Sequence, residues 1–382
     1  MSILKKLVLG VLLCVSHLGF SQEEVKEQSM LRDSLDNKLD ASDFLMEANG
    51  FIPLPQLITE PALGGIGGVL AAVFIKPNKV QIEGQYVPPN ITEGFGAYTA
   101  NKTWGIGVLR IASLPKYGIK YRTGMVYANA NMNFYRTMPR LGEVKFGFNF
   151  EMTPVFISVL KEIAKTNLYL GAQYLYINMK VKPDFEFENF PDFDEKLTSQ
   201  HNLSSAGIVL EYDLRDNIFT PNKGMIISSN YRINANWTGS DYSYEQLTAG
   251  ILQFFQFNPK WVGGFRFDTK FMFGDAPFYA YPSISMRGVP LRRYQGTEIY
   301  TVEIEQRYDF SKRWSGLVFG GLSKAPTDQT SFSDALLVHN YGTGFRYLLA
   351  RKFGLRMGVD VAWSNNDFGY YITFGSAWNN RN

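Results

Sequence analysis

One stretch of the chain, residues 285–310, concentrates the charged side chains whose types and spacing suggest chemistry. The loop carries Arg287, Arg292 and Arg293, and the strand that follows carries Glu303, Glu305 and Arg307. Guanidinium and carboxylate groups form charge-assisted, often bidentate hydrogen bonds. The pattern therefore predicts ion pairing between a loop and a strand, in which Glu303 and Glu305 hold Arg287.

Residue types for catalysis or metal binding are scarce. A hydrolase or acyltransferase needs a nucleophile beside a base, and after the first 21 residues the only histidines are His201 and His339, each in a predicted loop. The single cysteine, Cys14, lies in the N-terminal apolar run. The loop carboxylates within 192–195 match no EF-hand spacing, which favours a solvated loop over a calcium site. We expect no enzymatic activity, no metal and no cofactor.

The charged stretch leads into a segment that alternates in character. Successive side chains of a strand face opposite sides, so Glu303 and Glu305 share one face while Val302 and Ile304 share the other. Residues 353–364 repeat the alternation. Buried charges need partners, so a wet barrel lumen is favoured over the dry core of a soluble sandwich, which is the alternative. The predicted lumen charge network is Glu303, Glu305, Arg307, Arg346, Arg356 and Asp360.

Aromatic-rich segments of similar length follow one another to residue 378. We count fifteen, beginning with residues 64–74 after an extended lead-in at 51–55, and each has about the length that a tilted membrane strand needs. Outer-membrane barrels have an even strand number, so we predict sixteen strands. No apolar run beyond the N-terminal one approaches 18 residues, which excludes membrane-spanning helices. The predicted fold is all-β: a transmembrane antiparallel β-barrel over residues 51–382, with long loops at 182–203, 274–298 and 325–340.

The first 50 residues divide into two parts. Residues 1–21 combine Lys5 and Lys6 with a short apolar run and small residues before Gln22, which is the layout of a cleaved signal peptide. Residues 22–50 carry eight acidic and three basic residues, with a short helix predicted around 39–46. We expect this segment to be a periplasmic tether or plug. Without Lys5 and Lys6, 36 basic residues balance 35 acidic ones, so nucleic-acid binding is not expected.

Several motifs, in this order, resemble the barrel of the BamA/TamA family of outer-membrane proteins, also called bacterial surface antigens. The mid-barrel hairpin motif is Asp213, Arg215, Asp216, Asn217 and Gly224. The motif that resembles the inward-folded loop of the family is Arg287, Gly288, Arg293, Tyr294 and Gly296. The motif that resembles the C-terminal signal for barrel insertion is Asp367, Gly369, Ile372 and Phe374. The resemblance covers residues from about 51 to 378.

Two features depart from that family. Family members carry an aspartate in the strand after Glu303 as partner of the loop arginine, and Gly321 stands there in this chain. We therefore transfer the partner role to Glu303 or Glu305. Family insertases also carry periplasmic POTRA domains, and residues 22–50 are too short for one, because three strands and two helices need roughly 40 residues.

The resemblance implies a Gram-negative outer-membrane factor that assembles or inserts other outer-membrane proteins. We expect the first strand to close weakly against the last, so that a client strand can pair with the exposed edge. The weakness would come from poorly packing glycines in the first strand: Gly64, Gly65, Gly67 and Gly68. The expected partners are outer-membrane lipid and either unfolded outer-membrane proteins or a periplasmic protein. The alternative is a passive solute or lipid transporter, or a structural barrel, without insertase activity.

Overall fold

The computed structural model describes residues 30–47, 52–76, 78, 80, 87–138, 142–184 and 199–379. Over these ranges the chain forms one sheet of sixteen strands, each paired antiparallel with the next along the sequence. The sheet curls into a nearly closed barrel with almost no helix. The prediction of an all-β, sixteen-stranded antiparallel barrel is confirmed, whereas the predicted signal peptide lies outside the described residues.

The elements are as follows. The strands are β1 (Ile52–Ile58), β2 (Gly67–Lys76), β3 (Asn90–Thr99), β4 (Trp104–Leu114), β5 (Ile119–Met138), β6 (Gly142–Ile163), β7 (Leu168–Pro183), β8 (Ser199–Asp213), β9 (Gly224–Asn234), β10 (Tyr244–Asn258), β11 (Trp261–Gly274), β12 (Glu298–Asp309), β13 (Trp314–Lys324), β14 (Val338–Ala350), β15 (Leu355–Ser364) and β16 (Phe368–Phe374). The α-helix is α1 (Ser42–Glu47), and the 3₁₀ turns are Pro61–Leu63, Pro115–Tyr117, Asn236–Thr238, Phe278–Ala280 and Arg351–Phe353. Among the described residues, no helix has the length and apolar character to cross a membrane.

Strand alternation sets the two faces of the wall. In β12, Glu303 is 1% exposed while its neighbour Ile304 is 52% exposed. In β15, Asp360 is completely buried and Trp363 is 39% exposed. Because side chains alternate along a strand, the charged groups of these strands face the lumen and apolar groups form the outer surface, as in a barrel surrounded by lipid. The core of this protein is therefore its lumen.

The connections differ between the two ends of the barrel. At the end that we call the short-turn end, four-residue turns join β4 to β5, β6 to β7, β12 to β13 and β14 to β15. Gly118 and Gly354 end two of these turns at φ values of +58° and +64°, a region that glycine enters without strain. At the opposite, long-loop end, residues 275–297 join β11 to β12 and residues 325–337 join β13 to β14. Most of the predicted loop 182–203 lies outside the described residues, including the carboxylates of 192–195.

Two details of the strand prediction are wrong. The predicted lead-in becomes β1, although Pro53 and Pro55 lack the amide hydrogen that strand pairing uses; prolines are tolerated here because β1 is the edge of the sheet. His201 lies in β8 and His339 lies in β14, not in loops. His201 contacts the Tyr242 hydroxyl at 3.2 Å.

Candidate functional site in the barrel lumen

Residues 275–297, which we call the inward loop, leave the end of β11 and fold back into the lumen. Within the loop, the Ile284 amide donates to the Tyr294 carbonyl at 3.0 Å. Full burial of an aliphatic side chain stabilises a protein by about 1.5–3 kcal/mol relative to exposure, so apolar packing fixes the loop together with its charges. The packed side chains, each at most 3% exposed, are Ile284, Met286 and Val289 of the loop with Ile299 and Val338 of the wall.

Arg287 is the charged centre of the inward loop and is 1% exposed. Its Nη1 donates to Asp360 at 2.8 Å and its Nη2 donates to Glu305 at 2.7 Å. The guanidinium carbon lies 3.4 Å from the centroid of the Phe319 ring, and Asn340 donates to the Arg287 carbonyl at 2.9 Å. The structure thus places Glu305, one of the two predicted partners, on Arg287 and adds Asp360 as a second.

Gly288 fastens the loop to the last two strands. Its φ is +85°, and a Cβ atom there would lie 3.1 Å from the backbone of Trp363. Its amide donates to the Tyr371 hydroxyl at 2.8 Å, and its carbonyl accepts from Ser364 Oγ at 2.8 Å. Only glycine meets both the backbone conformation and the close approach.

Glu303 pairs with an arginine that the sequence analysis missed. It is 1% exposed and forms an ion pair with Arg266 of β11, which also pairs with Asp268. The Trp378 indole nitrogen donates to Glu303 at 3.1 Å. Gly321 lies directly opposite in β13, where a Cβ atom would approach Glu303 Cγ to 2.5 Å. The glycine that stands in place of the family aspartate leaves the space that Glu303 occupies.

The remaining predicted network residues form ion pairs in two places. Arg346 binds Asp360 through both terminal nitrogens, at 2.5 and 2.9 Å, so that one aspartate serves two arginines. Nearer the short-turn end, Asp309 pairs with Arg307 at 3.3 Å and with Arg356 at 3.0 Å. The structure therefore brings the predicted charges to the lumen wall, divided between an inward-loop group and a short-turn group.

Arg293, also of the inward loop, lies toward the long-loop end. Its Nη2 donates to Glu143 at 2.7 Å, and its Nη1 donates to Asp367. The ring of Tyr294 stands 5.6 Å from its guanidinium carbon. A Cβ atom on Gly296 would lie 2.9 Å from the Ala325 carbonyl group, so the chain passes closely there. Asp367 links the β15–β16 turn to the loop.

The predicted C-terminal insertion signal otherwise lies in β16. Its members face β15 in register: Gly369 opposite Ala362, Ile372 opposite Val359 and Phe374 opposite Met357. These positions fit an ordinary edge strand. The role of the motif in barrel insertion stays a prediction.

The predicted hairpin motif spans the connection between β8 and β9: Asp213 ends β8, Arg215, Asp216 and Asn217 lie in the connection, and Gly224 begins β9. Arg215 binds Asp213 through two nitrogens, at 2.8 and 2.9 Å. Asn217 accepts from the Thr220 amide at 2.9 Å and donates to the Phe353 carbonyl at 2.8 Å. The motif therefore ties this connection to the β14–β15 turn, six strands away, at the short-turn end.

The barrel seam lies between β1 and β16. Among the described residues no strand ladder joins these two strands. The Thr59 hydroxyl donates to the Tyr370 carbonyl across the gap. Both strands are only seven residues long.

The predicted seam glycines do not lie at this seam. Gly64 and Gly65 belong to the β1–β2 connection, at φ values of +87° and +75°. Gly67 and Gly68 open β2 and pair with β1. The prediction that they belong to the first strand is wrong, because the proline-containing segment 52–58 forms β1 and precedes all four glycines.

The N-terminal segment 30–47 docks at the short-turn end, through a site that the sequence analysis missed. Arg313 is 1% exposed and pairs with Asp33, Asp36 and Asp40. Arg351 also pairs with Asp33, at 2.6 Å. Hydrogen bonds from Arg351 hold the pKa of Asp33 below its usual value, and those from Arg313 do the same for Asp36. The hydrogen bonds that Arg313 donates to the carboxylates of Asp36 and Asp40, that to Asp36 foremost, raise the pKa of Arg313.

Helix α1 reaches both sides of the seam. Leu45 is 6% exposed and packs with Ala350, at the end of β14. Leu54 of β1 and Leu355 of β15 pack against the same cluster. The segment therefore contacts the beginning and the end of the sheet at once.

The fold defines a class of protein, the sixteen-stranded antiparallel β-barrels. The family model of the Omp85 superfamily domain matches residues 112–324, which is more than half of the chain. The chain belongs to the Omp85 superfamily. The predicted resemblance is confirmed, and membership of this family points to the outer membrane.

Solved structures resemble the barrel, among them the following two. The crystal structure of BamA from Haemophilus ducreyi lacking POTRA domains 1–3 aligns with a TM-score of 0.56 at 11% identity, over 85% of this chain and 69% of that one. CdiB from Escherichia coli aligns with a TM-score of 0.54 at 6% identity, over 84% of this chain and 61% of that one. At such identities the likeness shows the fold alone. A comparison with curated protein sequences finds no match.

Proposed function

We propose that this barrel is an outer-membrane assembly factor that helps to insert other β-barrel proteins through its seam. Omp85 barrels are assembly or transport proteins. The observation that carries the proposal is the seam itself, where no ladder joins β1 to β16 among the described residues. An unpaired strand edge is a template for another strand.

The two sides of the seam have different roles in this mechanism. Arg287 binds Asp360 of β15 and Gly288 binds Tyr371 of β16, so the inward loop braces the last strands from inside. On the other side, the Leu291 amide of the loop donates to Glu60, just past the end of β1, at 2.9 Å, whereas Pro53 and Pro55 deprive β1 itself of two amide donors. We infer that β1 moves away and that a client strand pairs with β16, whose sequence contains no proline.

A disulfide across the seam tests the proposal. The contact between Thr59 and Tyr370 brings the two backbones within the reach of a disulfide, so Thr59→Cys with Tyr370→Cys locks the seam. The control lock, Gln56→Cys with Val69→Cys, joins residues that face each other in β1 and β2. Each variant replaces the wild-type protein in a depletion strain, with heat-modifiable gel migration as the measure of folding.

The readout is the quantitative outer-membrane proteome. We expect the seam lock to lower the levels of other barrels and a reductant to restore them, while the control lock leaves them at wild-type levels. Unchanged barrel levels in the oxidised seam lock, or after depletion of the protein, would overturn the proposal.

The passive-pore alternative makes a different prediction. The inward loop fills part of the lumen with buried ion pairs, which argues against free conduction. Single-channel recording in planar bilayers distinguishes the two functions, because a pore gives a large steady conductance and an assembly factor does not.

A further inference from the structure

Three cations near the long-loop end of the lumen lack the carboxylate partners that the other lumen arginines have. Arg232 of β9, Lys270 of β11 and Arg292 of the inward loop form no ion pair in the described structure. By contrast, Arg266 and Arg287 each bind two carboxylates. The contrast marks these three cations as an uncompensated positive cluster.

All three side chains face the lumen. Lys270 shares a strand face with Arg266 and Asp268, which are 1% and 6% exposed, since residues two apart point the same way. Arg232 donates to Gln246 Oε1 at 2.8 Å. Gln246 Nε2 in turn donates to the Ala280 carbonyl of the inward loop at 3.2 Å, so Arg232 faces that loop.

Arg292 approaches the same place from the loop. Its Nη1 donates at 2.8 Å to the carbonyl of Tyr281, the residue after Ala280. Its φ is +63°, a left-handed conformation that residues other than glycine rarely adopt and that is often found at functional sites. Tyr244 lies within electrostatic range of Arg232 and Arg292.

Sheet geometry brings Lys270 close to the two arginines. Arg232 pairs with Gln246 across β9 and β10, and Thr248 pairs with Lys270 across β10 and β11. The two cations are thus two strands apart and offset by two residues along the strands, about 12 Å at the backbone, a gap that two long side chains can span. Lys270 lies within electrostatic range of both arginines, and the nearby carboxylate of Asp268 already binds Arg266.

Like charges confined in a partly dry space repel, and a bound anion removes that repulsion. Two guanidinium forks match the oxygens of a tetrahedral anion, and an ammonium adds a third positive charge. We propose that Arg232, Lys270 and Arg292 form a lumenal binding site for a phosphate group, carried either by a soluble phosphate compound or by a lipid headgroup. This site is separate from the seam and does not depend on the proposed insertion activity.

Phosphorus-31 NMR of the full chain in a phosphate-free detergent tests the site, with inorganic phosphate as the first probe. We expect the wild-type protein to broaden the phosphate resonance in a saturable way. Arg232→Gln, Lys270→Gln or Arg292→Gln weakens binding roughly tenfold or more, because each removes a charge-assisted hydrogen bond. Lys270→Arg retains binding, and Lys260→Gln, which changes an exposed lysine in the β10–β11 turn, leaves it unaltered.

The outcomes separate the site from its alternatives. Equal broadening by the wild type and all three glutamine variants, or no saturable broadening, would overturn the proposal, as would acetate displacing phosphate at equal concentration. Glycerol 3-phosphate and micelles doped with phosphatidic acid then identify the source, since a site for solutes prefers the former and a site for headgroups prefers the latter. Heat-modifiable migration shows that each variant folds, and Lys270→Gln, with its side chain in the lumen, provides the test if the loop variant does not.

Discussion

Arg287 and Arg313 are both 1% exposed and both bind more than one carboxylate, yet they secure different kinds of structure. Arg287 lies in a loop inside the lumen, where an aromatic ring covers its guanidinium and the neighbouring Met286 and Val289 belong to a buried apolar cluster. Arg313 holds an N-terminal segment at the rim, whose apolar support is the small cluster around Leu45. The comparison shows that similar ion pairs can stabilise either the interior of the barrel or a segment docked at its rim, depending on the packing around them.

Removal of the Arg287 charge should have the largest effect. Arg287→Ala leaves Glu305 and Asp360 without this partner inside the lumen, a kind of change that costs about 3–5 kcal/mol where burial is complete. We expect a lower midpoint of denaturant unfolding, measured by heat-modifiable migration, and a smaller loss for Arg287→Lys. A midpoint equal to that of the wild type would show that the loop does not depend on this charge.

At Arg313 we expect a local effect. Arg313→Gln removes the guanidinium that binds Asp36 and Asp40 and leaves Asp33 with Arg351 alone, so residues 30–47 should detach while the barrel stays folded. Limited proteolysis followed by mass spectrometry should show roughly tenfold or faster cleavage within this segment, since several charged hydrogen bonds are lost. Lys312→Gln changes the exposed neighbour in the same turn and serves as the control. Global unfolding of the Arg313→Gln variant would instead show that Arg313, like Arg287, is needed for the stability of the barrel itself.

The docking of residues 30–47 through Arg313 should also depend on pH. The pKa values of Asp33, Asp36 and Asp40 are lowered in the folded protein. Carboxyls of this kind contribute stability that is present above their ordinary pKa, about 3.9, and that is lost as the pH falls through the lowered values. Docking of residues 30–47 should therefore persist at pH 4–7 and fail only in stronger acid, as measured with an acid-active protease. Release near neutral pH would contradict the role of these carboxylates.

The faces of the strands could be predicted from the sequence because lipid and lumen impose a period of two on each strand. The same alternation in residues 260–273 places Arg266 and Asp268 in the lumen, so their ion pair could have been predicted from the sequence. The sequence could not show which carboxylates bind Arg287, because Asp360 lies in β15, three strands along the sheet from β12. That choice depends on the register of several strands together.

The seam and the rim show where sequence patterns mislead. Prolines argue against a strand, yet Pro53 and Pro55 are tolerated in β1 because one edge of that strand is unpaired in the described sheet. Arginines in short turns are usually solvated, so nothing around Arg313 marked it as buried. Its burial comes from residues 30–47, nearly 280 positions earlier in the chain, and such contacts leave no local pattern.

The smallest effect should come from an exposed pair in the same docked segment. Lys352 and Asp43 form an ion pair in which the side chains are 42% and 38% exposed. Surface pairs of this kind contribute about 0–1 kcal/mol, and the Lys352 amide still donates to Ser42 Oγ at 3.0 Å after the side chain is removed. Lys352→Ala should therefore leave proteolysis of residues 30–47 within about twofold of the wild type, and high salt should change it little. A loss as large as that of Arg313→Gln would show that net charge at the rim, and not the buried guanidinium, holds the segment in place.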